Sequence, residues 1–294
     1  MRMNPFCMCC AVNKQEKLIR KFDDTAKKTE YMKKVMTLIA NAGPQDCAPS
    51  ISIDIKKLYA AYWGEKPDDY TEIKHEFNQL MLGLEDRLEE RIRSSADPLA
   101  TALLYARIGN YIDFAALSHV EKDTVLSMID SENKEPLDPA EYNCFLEDLS
   151  HASSLVYLTD NCGEIVMDKL VIRILRELYP ALTITVIVRG IPVINDATLD
   201  DAEEIGLTSL VKVIGNGDGV GGTWLPGINK ETRHLLDTAD VILAKGQGNF
   251  ETLNDCGLNI YYLFLCKCEW FQKLFHAQPL QGMFVNERRV SPDR

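Results

Sequence analysis

Two aspartate–asparagine pairs in the sequence are suited to hold a divalent cation. Asp160-Asn161 follows the apolar run 155–159, and Asn195-Asp196 follows the apolar run 182–188 after a short loop. Carboxylate and amide oxygens are hard donors, which suit a divalent cation and the phosphate that such a cation would hold. Each pair alone is also explained as a cap for the helix that follows it. Two such pairs at successive strand ends are less easily explained by capping.

A third apolar run, residues 241–244, ends in a loop that suits an anion. The loop contains Lys245-Gly246-Gln247-Gly248-Asn249. Glycines let backbone N–H groups approach an anion closely, and the lysine adds a point charge. The loop lacks the Gly-Lys-Ser/Thr of a Walker A motif, and the chain lacks the GxGxxG dinucleotide fingerprint. An ordinary flexible surface loop is the alternative.

The second half of the chain has the pattern of the sheet that would position these loops. Short apolar runs alternate there with helical stretches, which indicates a mostly parallel sheet covered on both faces. In such sheets, ligands bind outside the carboxyl ends of the strands. The three loops are therefore expected at one edge. The predicted strands are 155–159, 182–188, 210–214, 241–244 and 260–265, with 282–285 as a further candidate.

The first half is mostly helical, with apolar residues at helix spacing from about residue 15 to residue 149. We predict one long helix from Tyr70 to Arg93, and another that opens at Asp97-Pro98 and ends at Gly109. The division is thus a mainly helical N-terminal domain, residues 1–150, and an α/β metal- and phosphate-binding domain, residues 151–294.

The net charge and composition of the chain argue against some classes of binding partner. The 294 residues carry a net charge of −12, which argues against a general binder of nucleic acids or anionic membranes. A small anionic substrate remains compatible, because a metal can supply local positive charge. No apolar run approaches the roughly 18 residues of a membrane span, and no secretory signal is recognisable. Nine cysteines without a regular framework favour free thiols in the cytoplasm.

In this order, the motifs resemble the damage-control phosphatases, a family of metal-dependent phosphatases formerly known only as a domain of unknown function. The resemblance spans nearly the whole chain and implies a three-layer α/β/α Rossmann-like core with an all-helical N-terminal domain. The N-terminal cysteine pair is similar to the mainly prokaryotic branch. The matching segments are Cys7-x-x-Cys10, Gly109-Asn110-x-x-Asp113-Phe114, Asp160-Asn161-x-Gly163-Glu164, Asn195-Asp196-Ala197-Thr198, Lys245-Gly246-x-Gly248-Asn249-Phe250-Glu251 and Lys267-Cys268.

The resemblance also implies an activity and roles for single residues. The activity is hydrolysis of phosphate monoesters of small metabolites, such as sugar phosphates or damaged phosphometabolites. The implied metal ligands are Asp160, Asn161 and Asp196, and Lys245 would hold the phosphate. The residues that would line the remainder of the site are Asn110, Asp113, Gly163, Glu164, Asn249 and Lys267.

The chemistry at this site stays open in two respects. The all-oxygen ligand set favours Mg²⁺ or Mn²⁺, while the family resemblance also admits Co²⁺ or Ni²⁺. The nucleophile is either water, with Asp113 or Glu164 as general base, or a carboxylate that forms a phospho-aspartyl intermediate. One departure from the family pattern is Cys162, where alanine is common; its thiol would lie beside the ligands.

Two other functions compete with a phosphatase. A Rossmann-like nucleotide- or S-adenosylmethionine-dependent methyltransferase predicts a glycine-rich first loop, whereas this chain has one glycine there. A non-catalytic sensor of a metal or a phosphometabolite would have nearly the same sequence. Turnover alone separates that sensor from an enzyme.

Overall fold

A six-stranded sheet forms the centre of the part of the chain that the structure describes. The structure is a computed structural model, and it describes residues 2–64, 69–109, 127 and 136–290. The strand order is β3-β2-β1-β4-β5-β6; β1 to β5 are parallel, and β6 is antiparallel to β5. The strands are β1 (Ser154–Leu158), β2 (Thr183–Val188), β3 (Lys212–Gly215), β4 (Val241–Lys245), β5 (Ile260–Leu265) and β6 (Gly282–Asn286).

The strand order places a switch in winding direction between β1 and β4. From β1 the chain first builds outward through β2 and β3, and it then returns to add β4 and β5 on the other side. The connections that leave β1 and β4 therefore diverge, which opens a crevice at their carboxyl ends where such sheets bind ligands. The predicted α/β class and mostly parallel sheet are confirmed. The candidate strand at 282–285 is β6, the antiparallel edge.

Helices cover both faces of this sheet. On one face, α4, α5, α6 and α8 share a single hydrophobic core with the strands. On the other face, a second core includes residues of α10, α11 and α12. The helices of the described chain are α1 (Pro5–Ile19), α2 (Thr25–Ala40), α3 (Ala48–Trp63), α4 (Thr71–Leu82), α5 (Glu85–Ser94), α6 (Pro98–Ile108), α7 (Pro139–His151), α8 (Glu164–Leu178), α9 (Leu199–Glu204), α10 (Lys230–Thr238), α11 (Gly246–Leu253) and α12 (Glu269–Phe275).

The N-terminal helices do not all belong to one core. Helices α1 to α3 pack around their own cluster, which includes Tyr31, Val35 and Ile51. Helices α4 to α6 instead pack on α8 and contribute to the core of the sheet. The division of the chain at residues 150 and 151 stays a prediction. None of the helices in the described ranges is long and apolar enough to cross a membrane.

The prediction of one helix from Tyr70 to Arg93 is wrong. Two helices occupy this segment, because α4 ends at Leu82 and α5 begins at Glu85. Gly83 lies at the break, where glycine is about 1 kcal/mol less favourable than alanine in a helix interior. The break is compatible with the apolar stripe, since Leu84 and Leu88 remain buried. The helical spacing of apolar residues therefore continues across Gly83, although the helix itself is interrupted there.

Candidate functional site

Backbone pairing between two loops brings the predicted metal ligands together. The loop after β1 and the loop after β2 are joined by a bridge between Asn161 and Asp196. The Ala197 N–H donates to the Asp160 carbonyl at 2.8 Å, and the Cys162 N–H donates to the Asn195 carbonyl at 2.8 Å. The side chains of Asp160, Asn161 and Asp196 are thus neighbours at the carboxyl edge of the sheet, beside the crevice between β1 and β4.

The helix-cap explanation fails for both aspartates. Helix α8 follows Gly163 as its N-cap residue, and no side chain caps it. The N-cap of α9 is Thr198, which forms a capping box with Asp201. Neither Asp160 nor Asp196 therefore caps the helix that follows it. Capping does not account for these two carboxylates.

The two carboxylates are crowded and mostly buried. Their side chains are 13% exposed for Asp160 and 10% for Asp196. Burial raises the pKa of Asp160 to about 7, and the neighbouring Glu164 and Asp196 carboxylates add to the increase. Burial also raises the pKa of Asp196, against the opposing charge of Arg189. A bound cation would relieve this crowding.

The donor set fits a hard divalent cation. The Asn161 amide NH₂ donates to Asp160 Oδ2 at 2.9 Å and to Glu164 Oε2 at 3.0 Å, which leaves the amide oxygen as a donor to a cation. Two carboxylates and one amide oxygen match the preference of Mg²⁺ and Mn²⁺. The described residues contain no cluster of three or more His, Cys, Asp or Glu suited to a metal, so the amide is needed to complete this set.

We expect metal affinity to rise with pH up to about 7. A metal must displace the proton of Asp160, whose metal-free pKa is raised to about 7 by burial and by its acidic neighbours. Because this pKa lies above the ordinary value of 3.8, the metal-free fold loses stability at this group as pH rises from about 4 through 7. Calorimetric titration with MnCl₂ at several pH values checks this, and an affinity that is flat between pH 5.5 and 7 would contradict it.

Helix α11 begins against the Asp160 carboxylate. Gly246 has φ 79°, and a Cβ at this position would overlap Asp160. The glycine therefore serves two needs, a left-handed backbone and close approach of the helix start to the acid. The backbone N–H groups of the first turn are the kind that bind phosphate in other helices.

Gly246→Ala is expected to displace Asp160 and to lower metal affinity at least about tenfold, in the range typical of disturbed metal surroundings. The backbone strain should also cost about 1–2 kcal/mol of folding free energy. Gly257→Ala is the matched control, since Gly257 has φ 78° and open space around its Cβ position. Gly257→Ala should carry the backbone strain alone, Gly246→Ala should lose at least as much stability because of the overlap with Asp160, and only Gly246→Ala should lose metal affinity. Equal metal binding in both would contradict this placement of Asp160.

Lys245 is at the centre of a buried charge network. Its Nζ donates to Glu164 Oε1 at 2.6 Å, to Asp168 Oδ1 at 2.7 Å and to the Ala106 carbonyl at 2.8 Å. Asp168 Oδ1 also accepts the Tyr157 hydroxyl at 2.7 Å. Burial raises the pKa of Asp168 to about 6, while Lys245 opposes that rise. Burial alone would lower the pKa of Lys245, but the two carboxylates raise it above its ordinary value.

Two of the predicted substrate-binding residues have their polar atoms engaged by the protein. The three ammonium hydrogens of Lys245 are directed at protein oxygens. Asn249 is fully buried; its amide NH₂ donates to the Thr159 and Lys245 carbonyls, and its oxygen accepts from Thr223. In this arrangement both residues position the loops around the site. Contact with substrate would require an exchange of these bonds, and that contact stays a prediction.

Lys267 is the exposed lysine of the predicted site. Its backbone N–H donates to Gln247 Oε1 at 3.0 Å, which ties it to the first turn of α11. Its charge acts on the Asp160 carboxylate, against the effect of burial on the pKa of that acid. Lys267 is therefore placed where an incoming anion would meet a positive charge.

Two predicted residues, Asn110 and Asp113, lie outside the described residues. Gly109, the residue before them, is described and packs against Glu164, because a Cβ on Gly109 would overlap the Glu164 side chain. Glu164 itself is fully buried and bonded to both Asn161 and Lys245. The chain thus passes next to the site directly before these two residues.

Gly163 is packed between the site and the helical layer. It has φ 69°, and a Cβ there would overlap the Phe77 ring. Its N–H donates to Asn78 Oδ1 at 2.6 Å, and Asn78 in turn donates to Asp201 at 2.9 Å. Beside it, Cys162 is fully buried, and burial together with Asp201 raises the pKa of its thiol. In this structure Cys162 is thus a packed thiol.

The N-terminal cysteines lie on α1. Cys7 and Cys10 are one turn apart, and none of the nine cysteines forms a disulfide. Burial raises the pKa of Cys7 to about 11, and Glu251 adds to this. Burial thus keeps the Cys7 thiol protonated at neutral pH when no metal is bound.

Sequence reasoning missed two residues of this site, namely Arg189 and Asn78. Arg189 is fully buried beside both aspartates, and its Nε donates to Asp196 Oδ2 at 2.6 Å. Its signal in the sequence is a charged residue that directly ends the apolar run of β2. Asn78 gave no such signal, because it lies on a helix more than eighty residues away from its partner Gly163.

Comparison with known proteins agrees with the earlier resemblance. The model of the damage-control phosphatase ARMT1-like domain matches residues 3–279. A damage-control phosphatase of Archaeoglobus fulgidus is 29% identical over 276 residues, 92% of this chain and 93% of that protein. The damage-control phosphatase PH1575 of Pyrococcus horikoshii is 28% identical over 272 residues, 91% of this chain and 92% of its own length.

A solved structure shows the same fold. The crystal structure of a DUF89 family protein from Pyrococcus horikoshii superimposes with a TM-score of 0.78 at 26% identity. The match covers 98% of this chain and 99% of that one. With a domain match along nearly its whole length, the chain belongs to the damage-control phosphatase ARMT1-like family.

Proposed function

We propose that this protein is a metal-dependent phosphatase that hydrolyses phosphate monoesters of small metabolites, either sugar phosphates or damaged phosphometabolites. The observation that carries the proposal is the convergence of Asp160, Asn161 and Asp196 beside the sheet crevice. Two relatives that match more than nine-tenths of this chain are named damage-control phosphatases. The cytoplasmic location suggested by the cysteines stays a prediction.

Asp160, Asn161 and Asp196 would hold the divalent ion, which we propose to be Mn²⁺, Mg²⁺, Co²⁺ or Ni²⁺. When bound there, it would act as a Lewis acid toward a phosphoryl oxygen. The first turn of α11 would donate backbone N–H groups to the phosphate, and Lys267 would attract it. Together these groups would hold the phosphate of the ester at the carboxyl edge of the sheet.

Proton transfer is assigned to a carboxylate on the same edge. Glu164 is a candidate base, because its side chain reaches the ligand Asn161; to accept a proton it would have to exchange its bond to Asn161 at 3.0 Å or its bond to Lys245 at 2.6 Å. Asp113 is the other candidate from the family resemblance. Lys245 then acts first as a positioning residue, since it fixes Glu164 and Asp168 on the first turns of α8. We also propose that Lys245 binds the substrate phosphate directly.

The experiment is a panel of phosphate esters assayed after removal of metal by a chelator and restoration with single divalent ions. We expect hydrolysis of at least one sugar phosphate or aryl phosphate, and recovery with Mn²⁺, Mg²⁺, Co²⁺ or Ni²⁺. Asp237→Asn is a control for the loss of a carboxylate outside the site, because Asp237 pairs with Arg233 on the surface of α10. This variant should hydrolyse the esters as wild type does. Binding of metal and ester without turnover would instead identify a sensor and overturn the proposed activity.

A further inference from the structure

Arg189 is a buried cation placed between the two candidate metal carboxylates. Its side chain is 0% exposed, its Nε donates to Asp196 Oδ2 at 2.6 Å, and its Nη2 lies 3.7 Å from Asp160 Oδ1. Both Nη1 and Nη2 are buried without a hydrogen-bond partner in the described part of the chain. Two of the three guanidinium nitrogens therefore contribute charge to the site without contributing hydrogen bonds.

A single guanidinium cannot neutralise two carboxylates. Asp160 and Asp196 together carry two negative charges when ionised, and Arg189 supplies one positive charge. A divalent ion held by the same acids would compete with Arg189 for that negative charge. In a buried site such competition is strong, because charges separated by a few ångströms are poorly screened.

We propose that Arg189 is a resident counter-ion of the metal site. It stabilises the acid pair before the metal binds, and it weakens the binding of the metal so that the ion remains exchangeable. This inference rests on the proposed function, since it takes Asp160 and Asp196 as metal ligands. Arg189 thereby acts through the charge of the two carboxylates and does not touch the substrate.

The geometry separates this charge role from an orienting role. A residue that only orients ligands strengthens metal binding, and its loss typically weakens that binding by about 10–100-fold. The Asp160 contact of 3.7 Å is too long for a hydrogen bond and imposes little direction. The backbone already holds the Asp196 loop, through Arg189 N–H to the Ala197 carbonyl at 2.9 Å and Ala197 N–H to the Asp160 carbonyl at 2.8 Å. The position of both loops is thus available without the guanidinium, whose one hydrogen bond orients only the Asp196 carboxylate.

The test is calorimetric titration of the chelator-stripped full-length protein with MnCl₂ at pH 8. Arg189→Gln should bind Mn²⁺ about tenfold more tightly than wild type, because the competing charge is removed. Arg189→Lys keeps the charge and should stay within about threefold of wild type, even though it loses the Nε donor. Arg173→Gln is the control, because Arg173 lies on α8 away from the acid pair and contacts Glu85 of α5 at 3.0 Å. It should not change Mn²⁺ affinity.

Thermal unfolding adds a readout that does not depend on activity. Metal-free Arg189→Gln should unfold at a lower temperature than wild type, and Mn²⁺ should raise its midpoint by more than it raises that of wild type. Weaker or equal Mn²⁺ binding in Arg189→Gln would overturn the inference. If Arg189→Gln does not fold, a loss of Mn²⁺ affinity of tenfold or more in Arg189→Lys would overturn the inference.

The same titration distinguishes this failure from failure of the proposed function. If wild type binds none of Mn²⁺, Mg²⁺, Co²⁺ and Ni²⁺, or Asp160→Asn binds Mn²⁺ as well as wild type, the metal site itself is wrong and the inference falls with it. If wild type binds Mn²⁺ through Asp160 and hydrolyses esters, but Arg189→Gln does not bind more tightly, only the counter-ion role is wrong.

Discussion

Asp160→Asn is expected to lower metal-dependent hydrolysis by at least about 100-fold and up to about 1,000-fold, as for loss of a group that stabilises charge in the transition state. The substitution removes one of two carboxylates from a ligand set that contains only one further oxygen donor, the Asn161 amide. It keeps the size and shape of the side chain. Asp160 does not cap α8, so loss of a helix cap does not confound the result.

The stability of this variant should remain within about 1 kcal/mol of wild type in the absence of metal. Asp160 is a crowded acid whose pKa is raised to about 7 by burial and acidic neighbours, so loss of its charge relieves repulsion. Urea unfolding of the chelator-stripped variant and wild type measures this difference in stability. The rates of ester hydrolysis are measured separately at saturating Mn²⁺. If Asp160→Asn hydrolyses esters at the wild-type rate, Asp160 is not part of the active site.

Lys245→Met is expected to destabilise the fold by about 3–5 kcal/mol, the range for removal of one partner from a buried ion pair. The change leaves Glu164 and Asp168, both fully buried on α8, without their shared cation. Urea unfolding at pH 8 measures the effect. Lys273→Met is the control, since the exposed pair of Lys273 with Glu269 should contribute less than about 1 kcal/mol.

The cost of Lys245→Met should shrink as the pH falls. The pKa of Asp168 is already raised to about 6 by burial, and loss of Lys245 removes the charge that opposes this rise. Protonation of Asp168 as the pH falls through this region therefore neutralises one of the two orphaned charges in the variant. A stability loss under about 1 kcal/mol at pH 8, or a loss that does not depend on pH, would show that Lys245 does not hold this network.

The strands and the edge of the sheet were predictable because their signals are local. Each strand is an apolar run, and parallel strands bring their carboxyl ends to one edge, so Asp160 and Asp196 could be placed near each other from the sequence. The glycine break at Gly83 was missed because the apolar stripe continues across it. A pattern of burial is maintained by packing, and packing does not require an unbroken helix.

The partners of the polar side chains were not predictable in the same way. Lys245 is predicted from the family resemblance to face a phosphate, but its bonds to Glu164 and Asp168 depend on how α8 crosses the end of β4. Arg189 is equally non-local, because its contact with Asp160 depends on the pairing of two loops. Sequence spacing indicates which groups reach the edge of the sheet, whereas the pairing of charges there depends on tertiary geometry.

The measurement that tests the central claim most directly is the recovery of ester hydrolysis against equivalents of Mn²⁺ added to chelator-stripped protein. We predict negligible hydrolysis without metal, full recovery near one bound ion per chain, and no recovery in Asp196→Asn at the same concentrations. Full hydrolysis by the stripped protein, or equal recovery by Asp196→Asn, would contradict a metal held by the acids at the ends of β1 and β2.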